Sequence, residues 1–310
     1  MKILVTGGAG YIGSILTPML LAEGYQVTVL DNLMFNQASL LDCCSRKNFN
    51  FVRGDILDIS VVEKLVSTHD IVIPLAAIVG APATSRNPRL SKLVNEVAPI
   101  EMLQNLSVDQ MVLFPTTNSG YGVGEPGSYC DETSPLNPLS DYAIAKVRVE
   151  EAYLQRNAGV SFRLATVFGA SARMRFDLLV NDFVYRSTKD RFIVLFEEHF
   201  RRNYIHVIDV ARAFIFGIRN YQQMQGQPFN VGLTAANLTK RELCEKIKTH
   251  IPSLEIYTSE VGTDPDKRDY VVSNNKIESL GWKPIYSLDD GINELIKICE
   301  ILKTNAYSNV

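Results

Sequence analysis

The chain has 310 residues, 46% of them hydrophobic and 21% charged, with a formal net charge of −3. That length suits one large α/β unit or two smaller ones, and the mild acidity without a long basic run argues against nucleic acid or anionic membrane as partners. No apolar stretch reaches the length of a membrane span, glycines halt the apolar start of "MKILVTGG", and the five cysteines contain no CxxC pair, so a disulfide framework, a zinc site and a signal peptide are not expected and a reducing cytoplasm is.

In chain order, "KILVTG" (2–7) reads as a strand and 11–23 as a helix with Ile12, Leu16, Met19 and Leu20 on one face. "QVTVLD" (26–31) and "FNFVRGD" (49–55) read as the second and third strands, "SVVEKLV" (60–66) as a helix, and "DIVIPLAA" (70–77) as the fourth strand. A helix over 89–105, the strand "MVLFPT" (111–116), a helix over 140–157 and the strand "SFRLATVFG" (161–169) follow. Apolar strands alternating with helical crossovers predict a parallel sheet covered on both faces. Beyond 169 the rhythm breaks. "RFIVLF" reads as a strand, "NYIHVIDVARAFIFGIRNY" as one long helix, "QPFNVG" (227–232) as a further strand, and 237–310 as mixed α and β.

The first turn, "TGGAGYIGS" (6–14), carries Gly7, Gly10 and Gly13 between a strand and a helix. Glycines let backbone approach a pyrophosphate, and the helix start offers unpaired N–H groups and partial positive charge. Tyr11 and Ile12 lie within the same turn. Asp31 ends the second strand, where a carboxylate can accept hydrogen bonds from an adenosine ribose and repel a 2′-phosphate, which favours NAD over NADP. Asn32 follows it; Asp55 and Ile56 can bracket the adenine; Leu75, Ala76 and Ala77 end the fourth strand with small residues; Asn95 sits on the next helix.

"YAIAK" places Tyr142 and Lys146 one helical turn apart. An ammonium near a phenol favours phenolate, and such a tyrosine can take a proton from a sugar hydroxyl while hydride leaves for a nicotinamide. "TTNSGYG" (116–122) precedes that helix and offers Thr117, Asn118 and Ser119.

Together with "LDNL", "GDI", "DETSPLNPLSDYAIAK", "RNYIHVIDVA", "FNVG" and "DKRDY", these motifs resemble the extended short-chain dehydrogenases that act on nucleotide sugars, the UDP-galactose 4-epimerase-like group, along nearly the whole chain. The resemblance implies a Rossmann-type doubly wound parallel sheet (1–168 plus 203–232) with a smaller, discontinuous α/β substrate domain (169–202 plus 233–310). It implies NAD as cofactor, a nucleotide-diphosphate sugar as substrate and a homodimer formed through the helices near 89–105 and 140–157. It also implies Thr117 on the reacting sugar oxygen, Tyr142 as general base and acid, Lys146 on the nicotinamide ribose, Arg202 and Arg268 on the diphosphate, and Asn181 beside the phosphates. Relatives that eliminate water from C5 and C6 carry Asp-Glu after the threonine; this chain has Asn118-Ser119, neither of which is an efficient acid or base near neutral pH. Epimerisation, foremost at C4, is therefore expected. Reduction of a 4-keto sugar, epimerisation at C2 and a non-catalytic NAD-binding role stay open. Arg173 and Arg175 in "SARMRFD" can line the substrate entrance or belong to a solvated loop.

Overall fold

A computed structural model describes residues 1–125, 127–155, 159–259 and 268–302. Seven strands form one parallel sheet: β1 (Lys2–Thr6), β2 (Gln26–Asp31), β3 (Phe49–Arg53), β4 (Ile71–Pro74), β5 (Met111–Thr117), β7 (Val160–Leu164) and β11 (Gln227–Val231). Their spatial order is β11-β7-β5-β4-β1-β2-β3, the doubly wound order expected from the sequence. β4 and β7 are buried along their whole length, because helices cover both faces; such strands read as unbroken apolar runs. The chain runs outward from β1 through β2 to β3, then returns to β4 on the other side. The crevice above β1 and β4 is therefore the switch point at which α/β sheets of this kind bind ligands.

Three smaller sheets lie beyond. β8 (Thr166–Phe168), β10 (Arg201–His206) and β12 (Asn237–Thr239) form one, β9 (Phe192–Leu195) pairs with β13 (Glu255–Thr258), and β6 (Tyr129–Cys130) pairs with β14 (Val271–Val272). The sequence "NYIHVIDVARAFIFGIRNY" is not one helix. Its first residues complete β10, and the helix begins at Val207. His206 marks the change: its backbone is extended and its ring Nδ1 accepts the Ile208 N–H at 3.3 Å, capping the helix. The single strand expected over 161–169 is two strands, β7 in the large sheet and β8 in the small one.

The long helix expected near 89–105 contains a π turn at Leu93–Val97 between the Pro88–Lys92 and Ala98–Gln104 segments. Pro99 has no N–H to give the carbonyl one helical turn back, which favours this irregularity. It is at this turn that the Asn95 amide leaves the helix and bonds to the backbone of Ile78.

Candidate active site

A cleft of about 570 Å³ runs across the carboxyl ends of β1, β2, β4, β5 and β7. That is within the ordinary range for small-molecule sites. At one end the glycine turn supplies the floor. Gly7 has φ +67°, and a Cβ there would stand 2.6 Å from the backbone of Ala76. At Gly13 a Cβ would come within 2.5 Å of the Gly8 backbone. Both positions exclude a side chain, so the β1 turn, the helix start and the end of β4 close on each other with room above for a ligand's phosphates. Asp31 is buried at the end of β2, with one carboxylate oxygen accepting the Ala9 N–H at 3.0 Å and the other the Leu33 N–H at 2.8 Å. Burial raises its pKa, and those two backbone N–H groups oppose the rise. Asn32 donates to Asp55 at 2.8 Å, and Tyr11, Ile12, Ile56, Leu75, Ala76 and Ala77 complete this wall. A glycine cradle at a helix start beside an oriented carboxylate fits an adenosine dinucleotide.

At the other end β5 delivers Thr117, the turn after it delivers Ser119, and the Asp141–Gln155 helix delivers Tyr142 and Lys146 to the same cleft. The Thr117 hydroxyl donates to Ser119 Oγ at 2.8 Å, and the Ser119 N–H donates back to Thr117 Oγ1 at 3.1 Å. Ser119 Oγ also accepts from the Arg268 guanidinium. Burial pushes the Tyr142 phenol up to about 12, against the pull of the Arg175 and Arg268 guanidiniums. Lys146 Nζ lies 6.0 Å from the Tyr142 ring centre, and burial lowers its own pKa to about 8; Arg175 and Arg268 add their positive charge beside the phenol.

The helix bearing Tyr142 and Lys146 is locked to β5 by a buried network. Glu150, one turn beyond Lys146, accepts from Arg163 Nη2 at 2.6 Å, from Ser161 Oγ at 2.5 Å and from Thr116 Oγ1 at 2.9 Å. Thr116 is the neighbour of Thr117, so one carboxylate fixes the strand that carries the threonine against the helix that carries the tyrosine.

Three expected contacts do not face the cleft. Asn95 is buried and spends its amide on Ile78 and Ser91, bracing the loop after β4. Asn181 is buried and joins the Gly169 N–H, the Tyr11 hydroxyl and the Arg175 carbonyl, so it braces the loop after β8. Asn118 turns into the protein, where its buried amide has no hydrogen-bond partner among the described residues. Asn95 and Asn181 lie within helices that face the loops they brace, and Asn118 opens the turn after β5 with its side chain toward the interior. Arg202 and Arg268 do line it. So do Arg173, Arg175 and Lys240, all buried or nearly so. Lys240 escaped the sequence reading because only the pairing of β10 with β12 brings it to the cleft; no local motif marks it.

The sequence model of the NAD dependent epimerase/dehydratase family matches residues 3–232. The chain therefore belongs to that family of extended short-chain dehydrogenases, NAD-dependent enzymes of nucleotide-sugar chemistry. Among known proteins it is 29% identical to a UDP-glucose 4-epimerase of Mycolicibacterium smegmatis over 96% of this chain and 98% of that one. It is 28% identical to a dTDP-glucose 4,6-dehydratase of Streptomyces niveus, over 96% and 92%. The crystal structure of Thermus thermophilus UDP-glucose 4-epimerase in complex with NAD superposes with a TM-score of 0.80 at 27% identity, covering 97% of this chain and 99% of the other. Epimerases and dehydratases thus stand at similar distance, and the family does not by itself choose the reaction.

Proposed function

We propose that the enzyme interconverts a nucleotide-diphosphate sugar and its C4 epimer through a 4-keto sugar. The observation that carries this reading is the pairing of Thr117 and Tyr142 in one cleft with an uncharged neighbour, Ser119, where water elimination would need an acid. Bound NAD supplies a reversible hydride acceptor. Tyr142 takes the proton of the C4 hydroxyl and gives it back to the same oxygen after the keto sugar has turned, so that the hydride NAD would return reaches the opposite face of C4. Thr117 and Ser119 hold the sugar oxygen: Ser119 already accepts from Thr117 and Arg268, which leaves its own O–H to donate. Arg202 and Arg268 grip the diphosphate, as suits guanidinium geometry. The smaller region, 169–202 plus 233–310, is the part that selects the sugar nucleotide.

The test is to incubate purified protein with UDP-, TDP-, GDP- and CDP-hexoses and follow products by NMR and absorbance at 340 nm. Epimer formation with no net change in reduced cofactor supports the reading. Loss of absorbance in step with product marks a 4-keto reductase, exchange at C2 marks a 2-epimerase, and a 4-keto-6-deoxy product marks a dehydratase; each of these sinks it. Tyr142→Phe is expected to lower turnover by roughly 10²–10⁴-fold with NAD binding kept. Unchanged turnover would instead remove Tyr142 from the chemistry.

A homodimer through the Pro88–Gln104 and Asp141–Gln155 helices is also proposed, because Leu93, Val97 and Ile100 remain only half-buried on the first of them. A monomeric mass by light scattering at micromolar concentration would refute it. No described helix is long and apolar enough to cross a membrane.

A further inference from the structure

Arg173 was expected at the substrate entrance or in a solvated loop, but it lies over the cofactor end of the cleft. The loop after β8 is laid directly across the start of the Gly13–Ala22 helix. The Tyr11 hydroxyl donates to the Gly169 carbonyl at 2.7 Å, the Ser171 hydroxyl to the Tyr11 carbonyl at 2.7 Å, and the oxygens of Ser14 and Ser171 are 2.7 Å apart. The Arg173 N–H points at the same two hydroxyls, at 3.4 and 3.3 Å. From this anchor the buried Arg173 side chain reaches a ring on the opposite wall: its guanidinium carbon stands 4.5 Å from the centre of Phe35.

Phe35 has no part in the core; it is 40% exposed. Its loop is nevertheless pinned. Met34 N–H donates to Asn32 at 3.0 Å, Phe35 N–H donates to Gln37 at 3.1 Å, and Leu33 N–H donates to Asp31. The loop leaves β2, whereas Arg173 follows β7 and β8, on the far side of β1, β4 and β5 in the sheet order. The contact therefore bridges the switch-point crevice. Both residues share the cleft wall with Gly10, Tyr11, Ile12 and Gly13.

We propose that Arg173 and Phe35 form a clasp over the bound dinucleotide, with the guanidinium facing the cofactor's pyrophosphate across from the Gly10–Gly13 turn, and that the clasp slows cofactor release. The physical case is that the glycine turn supplies N–H groups but no full charge, and a desolvated guanidinium supplies one. Phe35 and the Met174 carbonyl, to which Arg173 Nη1 donates, hold that guanidinium in place, and a lysine lacks the planar fork that meets both.

The experiment uses NAD itself and no sugar. Protein is loaded with NAD, freed of excess by gel filtration, diluted, and the release of NAD timed; the affinity is measured in parallel by calorimetry. Arg173→Ala is expected to speed release and weaken affinity about tenfold or more. Phe35→Ala is expected to do so several-fold, and the double variant to match Arg173→Ala alone, because Phe35 acts through the guanidinium. Arg173→Lys is expected to fall between. Thermal unfolding without NAD controls for damage to the fold, and Phe35→Ala, at an exposed ring, carries the test if Arg173→Ala folds poorly. Release within twofold of the wild type in both single variants, or strictly additive effects in the double variant, would overturn the clasp. None of these readouts depends on which sugar reaction the enzyme performs.

Discussion

The cofactor end of the cleft is lined mainly by backbone and short side chains: Gly7, Gly10, Gly13, Ala76 and Ala77, with Asp31 held by two N–H groups. The opposite end is lined by long cations that arrive from separate elements, Lys146 from a helix, Arg175 from the loop after β8, Arg202 from β10 and Arg268 from beside β14. The first kind of site is set by where glycines and strand ends fall, so it is rigid once the large sheet forms. The second depends on several elements of different sheets closing on one point. The dinucleotide-binding groups therefore sit where the parallel sheet fixes them, and the cations of the opposite end are side chains that tertiary packing must deliver.

The strongest way to break this contrast is at Glu150, which ties the large sheet to the helix that carries Tyr142 and Lys146. Glu150→Gln leaves the buried Arg163 guanidinium without its carboxylate, and a loss of about 3–5 kcal/mol in unfolding free energy is expected by urea denaturation. If stability instead falls by less than about 1 kcal/mol, the network is not what fixes the helix against β5.

A smaller effect sharpens the account of Lys146. Its folded pKa is lowered to about 8 from 10.5, so between those pH values the unfolded chain binds more protons than the folded one. By linkage, wild-type stability then gains from this group as pH rises from 8 to 10.5, and below 8 the penalty of burying the ammonium is fully present. Lys146→Met removes that gain. In NAD-free protein the stability of K146M relative to wild type is expected to decline across this window by on the order of 3 kcal/mol. Parallel pH profiles for the two proteins would show that the ammonium is hydrated in the fold.

The mildest change is expected at the rigid end. Asp31→Ser removes a carboxylate that would oppose a 2′-phosphate, and the ratio of NADP to NAD affinity is expected to rise roughly tenfold. Calorimetric titration with both dinucleotides measures it. An unchanged ratio would mean that Asp31 serves only the Ala9 and Leu33 backbone.

Much of this was legible in the chain because it is local. The glycine spacing, Asp31 at a strand end and Tyr142 four residues before Lys146 each carry their geometry within a turn or two, and the structure brings all of them to one cleft. The three asparagines show the limit. Asn95, Asn118 and Asn181 stand at suitable places in the sequence, yet Asn95 and Asn181 bond nearby backbone and brace loops, and Asn118 faces the interior. The helix expected to begin at Asn203 is another case: the pairing of β10 with β8 and β12 claims its first residues, and that partnership joins segments far apart in sequence.

By itself, then, the sequence determined the parallel sheet, the dinucleotide turn and the one-turn spacing of Tyr142 and Lys146, since these rest on periodicities and spacings that a few consecutive residues enforce, whereas Thr117 was marked out by the family resemblance. Only the tertiary structure decided which cations stand near the Tyr142 phenol, which asparagines turn away, and that Arg173 reaches Phe35. The cation and ring contacts join residues from 33 to 138 positions apart, and nothing in a local stretch encodes the distance between them.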